Sequence, residues 1–175
     1  MARLLIAAVF LLTGLSPAVA QDADFGANLN SLDGAWQGYL EYRDYQSDEI
    51  ERIPMTRTVS TAPDGSYSIT ELTYSDPGRQ VLAAEITAVS GDEVRLAYTR
   101  AGNVELETYQ IAAFLTETDG WSLTLEARGW DDEGEADIRI LMTLDGDTLT
   151  IEKRVRPDGT EAFVFRNRSV VERAG

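Results

Sequence analysis

Apolar and polar residues alternate with a period of two along most of the chain, the pattern of half-buried strands. In ADIRILMTL, Ala136, Ile138, Ile140, Met142 and Leu144 share one face. In DTLTIEKRV, Leu149, Ile151, Lys153 and Val155 share a face, with Thr148, Thr150, Glu152 and Arg154 opposite. In WSLTLEARGW, Trp121, Leu123, Leu125 and Ala127 oppose Ser122, Thr124, Glu126 and Arg128. The nearest approach to a helical pattern is ETYQIAAFLTET, where Ile111 to Leu115 is apolar on both faces. It reads as a buried strand with a bend, and a helix is the alternative.

Turn chemistry separates these arms at regular intervals. The signals are Gln46-Ser47-Asp48, Pro63-Asp64-Gly65, Asp76-Pro77-Gly78, Ser90-Gly91-Asp92 and Ala101-Gly102-Asn103, then Thr118-Asp119-Gly120, Asp131 to Gly134, Asp145-Gly146-Asp147 and Pro157-Asp158-Gly159. Gly, Asn and Asp tolerate the backbone that tight hairpins require. These turns imply about ten antiparallel strands in an up-and-down meander. A flat meander of that size leaves two long edges open to aggregation. Closing the sheet removes them and leaves room for side chains or one small ligand. The expected fold is all-β, a meander closed into a barrel, with a sandwich as the competing architecture.

The first twenty residues differ in kind. Arg3 is followed by the apolar run Leu4 to Leu15, a break at Ser16-Pro17 and the small-x-small sequence Ala18-Val19-Ala20. This reads as a secretory signal peptide at 1–20. A polar leader, irregular or a helical turn, is expected over 21–31, and the barrel domain over 32–175. The apolar run is shorter than the roughly 20 residues a spanning helix needs, so no membrane insertion is expected. An outer-membrane barrel would need an apolar outer band with aromatic girdles, and here charges occur on both strand faces. The expected location is exported, periplasmic or secreted.

Composition narrows the chemistry. The chain of 175 residues has no Cys and no His and carries a net charge of −15. No disulfide is possible, and no Cys-His or Ser-His-Asp site can form. Zinc loses its preferred ligands and haem its proximal His or Cys, so no cofactor is expected. The acidic surplus repels nucleic acid and anionic membranes. The acidic stretch WDDEGEAD, Trp130 to Asp137, lacks calcium-loop spacing and reads as a solvated hairpin. Glu126 beside Arg128, or Glu41, are the carboxylates on offer for acid/base work. Any acidic barrel offers as much, so the expectation is a protein without catalysis.

Candidate binding residues come from the first and last arms. Trp36, Gly38, Leu40 and Tyr42 share a face of the first strand. With Trp36 inward, Leu40 and Tyr42 follow, and Tyr98 and Tyr109 add apolar walls with hydroxyl tips. Basic residues are scarce, yet Lys153, Arg154 and Arg156 adjoin Arg166 and Arg168. Facing inward, such a patch would hold a carboxylate or phosphate. Facing outward, it would pair across strands with Glu152 and Asp137.

Leu32-x-Gly34-x-Trp36 resembles the signature of lipocalins and the wider calycin group, in which an Arg of the last strand packs across the Trp. The ending FVFRNRSVVER offers Arg166 or Arg168 for that part. The lipocalin Thr-Asp-Tyr motif is met only by Thr118-Asp119-Gly120, and lipocalins have eight strands. Ten strands are more like the fatty-acid-binding or nitrobindin-like barrels, but RDYQSDE has no room for the former's helical lid, and the latter's haem-ligating His is missing. The resemblance implies a lipocalin-like barrel binding a small hydrophobic or amphipathic ligand. The rival is a packed structural or protein-interaction domain, with Tyr39, Tyr45 or Trp130 exposed to a protein partner.

Overall fold

The computed structural model describes residues 24–44, 47, 49–76, 78–131 and 134–175. The proposed signal peptide and Tyr45 lie outside the described residues. A helical turn, α1 (Phe25–Asn28), runs into a turn of 3-10 helix over Leu29–Leu32. Ten strands follow: β1 (Gly34–Arg43), β2 (Ile50–Thr61), β3 (Tyr67–Asp76), β4 (Arg79–Ser90), β5 (Glu93–Arg100), β6 (Asn103–Glu117), β7 (Gly120–Asp131), β8 (Gly134–Asp145), β9 (Thr148–Pro157) and β10 (Val164–Arg173). Each pairs antiparallel with its neighbours in sequence, and β10 pairs with β1, so the barrel is closed. The turns read from the sequence fall between consecutive strands, with those at Gln46-Ser47-Asp48, Asp76-Pro77-Gly78 and Asp131 to Gly134 lying partly outside the described residues. No helix among the described residues is long and apolar enough to cross a membrane.

The leader does more than a polar leader would. Asp24 accepts a hydrogen bond from the Gly26 N–H at 2.8 Å and so caps α1. Phe25, Leu29 and Leu32 are buried and plug the end of the barrel where β1 begins. Phe25 meets Phe114 and Trp121 edge-on, with ring centroids 5.6 and 5.4 Å apart. The Trp36 indole N–H donates to the Leu32 carbonyl at 2.8 Å, and that of Trp121 donates to the Ser31 hydroxyl at 2.9 Å. Gly34 enters β1 at φ +116°, and a Cβ there would come within 3.2 Å of Arg173.

Closure differs from the expectation in one residue. Trp36 lies opposite Arg173 in the β1–β10 register, and the Arg173 guanidinium sits 4.2 Å from the indole ring. Arg173 also donates to the carbonyls of Asp33 and Ser31 at 2.6 and 2.9 Å, so one side chain ties plug to barrel. Neither Arg166 nor Arg168 takes this part. A bulge between Phe165 and Asn167 separates their roles.

A second bulge, between Ile111 and Ala113, bends β6 where the apolar run had suggested a bend. That segment is not buried throughout, because Ala112, Ala113 and Leu115 are exposed. The interior is densest on β7 to β10, where Leu123, Leu125, Ile138, Leu149, Val155 and Val171 are all buried.

Candidate functional site: the barrel interior

Above the plug, the barrel encloses a cavity of about 200 Å³. Its two sides differ. Leu40, Leu125, Ile140, Met142 and Ile151 make one wall largely apolar, with Lys153, Asn167 and Ser169 as its polar members. Strands β2 to β6 turn Arg57, Thr70, Tyr74, Glu85, Tyr98, Glu107 and Tyr109 toward the other.

Arg57 is the least satisfied group in this wall. It is 5% exposed, and its Nε has no hydrogen-bond partner. The nearest carboxylate, Glu85, stands 4.0 Å from its terminal nitrogen. Burial pushes the guanidinium below its ordinary pKa, and Glu85 opposes the shift. A buried cation at the limit of ion-pair distance is costly unless further acceptors reach it.

Tyr74 and Tyr109 are held neutral. Burial, more than any neighbour, raises the pKa of Tyr74, and the hydrogen-bonded Tyr98 adds to it. Burial likewise raises Tyr109, whose hydroxyl donates to Glu107 Oε2 at 2.9 Å. These groups offer hydroxyl donors and acceptors beside Arg57, but no pair of groups set apart as acid and base.

The residues nominated from sequence divide between cavity, rim and outer wall. Leu40, Tyr98 and Tyr109 line the cavity. Trp36 is buried in the plugged end. Tyr42 does not line the cavity, and its hydroxyl donates to Glu51 Oε2 at 2.9 Å. Arg168 lies on the outside of the barrel and donates from Nε to Glu41 at 2.8 Å. Arg166 pairs with Asp131 at the unplugged end, and Lys153 approaches the same carboxylate at 3.9 Å.

The basic patch therefore faces mainly outward. Arg154 pairs with Glu152 and Arg156 with Asp137. Glu41, 3% exposed, is clamped between Arg168 and Arg52. The hydrogen bond from Arg168, more than that from Arg52, holds its carboxyl below the usual range against its desolvation. Glu126 is occupied by Arg139. Tyr39 lies under Arg52, at 4.6 Å, and Trp130 is 74% exposed.

Arg57 escaped the sequence reading, although the signal was present. It shares the face of Met55 and Val59, two apolar residues on β2. A lone cation in phase with a buried stripe marks either a strand end or a polar site inside.

The architecture has a solved counterpart. It is similar to the crystal structure of Rv2717c from M. tuberculosis, with a TM-score of 0.61 over 93% of this chain and 100% of that one. At 16% identity the likeness shows the fold alone. No family model and no curated protein matches the sequence.

Proposed function

We propose that this chain is an exported, calycin-like barrel that holds one small amphipathic molecule in its interior, without catalysis. The anionic end of the ligand lies against Arg57, flanked by the hydroxyls of Tyr74 and Tyr98. Its apolar body lies along Leu40, Leu125, Ile140 and Met142. The observation that carries this reading is the buried Arg57 with an unused Nε, turned into a cavity whose far wall is largely apolar. An anion there would supply the acceptor that Glu85, at 4.0 Å, supplies poorly.

Size narrows the ligand class. A cavity of about 200 Å³ is close to the roughly 150 Å³ that holds benzene in an engineered protein. A single-ring or short-chain carboxylate fits that space, and a long acyl chain does not. The calycin-like reading draws support from Arg173 over Trp36 in the Gly-x-Trp start. Export draws support from the apolar leader at 1–20. The ion pairs of Glu41, Glu126 and Asp137 on the outer wall are unsuited to a lipid-facing band.

Gentle organic extraction of protein purified from its native compartment, followed by mass spectrometry, tests the reading. The expected result is a stoichiometric small acid, absent from the Arg57→Met variant. A clean extract, with no stabilisation by a panel of aromatic and short-chain carboxylates, would contradict it and favour the packed interaction domain.

A further inference from the structure

The interior has two ends, and among the described residues its wall has a long gap in pairing. The plug closes the first end with Phe25, Leu29 and Leu32. At the other, Arg166 of β10 reaches Asp131 of β7 across two intervening strands, with Lys153 of β9 beside them. Charge and side-chain bulk thus obstruct that sector of the mouth.

The gap lies between β6 and β7. The long strand β6 divides its pairing between two neighbours. Asn103 to Gln110 pair with β5, and Gln110 to Glu117 pair with β7. Among the described residues the β6–β7 ladder stops at Gln110 opposite Glu126. Beyond that point β7 continues to Asp131, bonded to β8 alone. The segments Asn103–Tyr109 and Ala127–Asp131 therefore face each other with no ladder between them. Glu107 and Tyr109 line this slit and also the central cavity, so the two spaces meet at these side chains. Leu106, 78% exposed, and Trp130, 74% exposed, stand at its outer edge. Apolar residues this open to water are more easily explained at a passage for an amphipathic molecule than on an inert wall.

We propose that the slit between β6 and β7 is the route by which the ligand enters and leaves the barrel. This rests on the interior-ligand reading above. Leu106 and Trp130 form the outer lips. The Tyr109 and Glu107 side chains, hydrogen-bonded to each other along β6, stand at the inner side. Among the described residues no ladder joins the two strands over this stretch, so parting them here costs fewer interstrand hydrogen bonds than parting an intact ladder.

The absence of native Cys makes the test direct. Thr108 and Arg128 are the second pair of positions beyond the end of the ladder, in its extrapolated register. A T108C/R128C double variant is bridged with a short bismaleimide that a reductant can cleave. Exchange of para-fluorobenzoate is then followed by fluorine NMR. Bridging is expected to slow association and dissociation together by about tenfold or more, leaving Kd unchanged, and cleavage is expected to restore both rates. Trp130→Ala, which removes an exposed side chain and spares the core, is expected to speed both rates at constant Kd. Exchange at the same rate in the bridged and cleaved forms would overturn the slit while leaving the interior site standing. No binding of para-fluorobenzoate to the unmodified protein would overturn the interior site, and the slit with it.

Discussion

The two halves of the barrel wall solve the same folding problem in opposite phase. On β7 to β10 the interior is mainly aliphatic, with Leu123, Leu125, Ile138, Leu149, Val155 and Val171 buried and Lys153, Asn167 and Ser169 the polar exceptions. The outside carries ion pairs such as Arg139–Glu126 and Arg156–Asp137. On β3 to β6 the phase is largely reversed. Ser68, Thr70, Tyr74, Glu85, Thr87, Tyr98, Glu107 and Tyr109 line the interior, while Ile69, Leu82, Ile86 and Leu106 are exposed. Hydrophobic burial alone would choose the first arrangement everywhere. The second gives up apolar contact and leaves Arg57 poorly paired, which is the signature of a surface kept for something other than packing.

The comparison is broken most severely on the aliphatic side. Leu125→Ala is expected to cost about 2–5 kcal/mol, the range for emptying a buried leucine site, and Trp36→Ala about 3–5 kcal/mol. Urea unfolding with an unchanged slope would measure both. A cost below about 1 kcal/mol for Leu125→Ala would mean that this half is not the core.

The outer ion pairs sharpen it next. Glu41→Gln keeps the shape and removes the charge between Arg168 and Arg52. The expected loss is about 1–2 kcal/mol, because the carboxylate is buried while both guanidiniums are partly in water. The sign of its pH dependence follows from its depressed pKa. The stabilisation is present above the ordinary carboxylate range and is lost as pH falls through the lower value in the folded protein. Wild type and Glu41→Gln should therefore converge in stability as the solution is acidified, and a gap that stays constant to low pH would refute the assignment.

The polar half has the opposite pH signature. The pKa values of Tyr74 and Tyr109 are raised in the folded barrel, so their contribution is intact below the ordinary tyrosine range. It is lost as pH climbs above that range, since only the unfolded chain ionises readily. Tyr109→Phe should flatten this alkaline loss of stability in a Tm-against-pH profile. The smallest effect is expected at Arg128. Its contacts to Glu135, Asp137 and Asp158 lie at the surface. Arg128→Ala should leave the thermal midpoint nearly unchanged, and a clear fall in it would show that these surface contacts stabilise the fold.

The same division decided what could be read from the sequence. ADIRILMTL, WSLTLEARGW and DTLTIEKRV belong to β7, β8 and β9, where alternation and burial agree, and their faces were legible. The turns were legible everywhere, because Gly and Asp chemistry at hairpins acts locally. On β4 the run VLAAEITAV invites burial of Leu82 and Ile86, yet the barrel buries Ala83 and turns Glu85 inward. Alternation gives a period without its sign, and the sign is set by a cavity that no local pattern encodes. Arg173, rather than Arg166 or Arg168, meets Trp36 because the β1–β10 register sets Trp36 opposite the very end of β10, and neither strand's own pattern encodes that register. The plug was hidden for another reason: its worth lies in contacts with residues far along the chain, such as Phe114 and Trp121.

The measurement that bears most directly on the reserved interior compares wild type with Arg57→Met, by denaturant unfolding with and without benzoate. Replacing this poorly paired cation by an apolar side chain of similar length should cost the ligand-free barrel little, because Glu85 stands 4.0 Å away and is itself partly exposed to water. The same change should abolish the rise in stability that benzoate gives the wild type. A ligand-free Arg57→Met barrel that loses more than about 2 kcal/mol, or one that benzoate stabilises as well as wild type, would contradict the account.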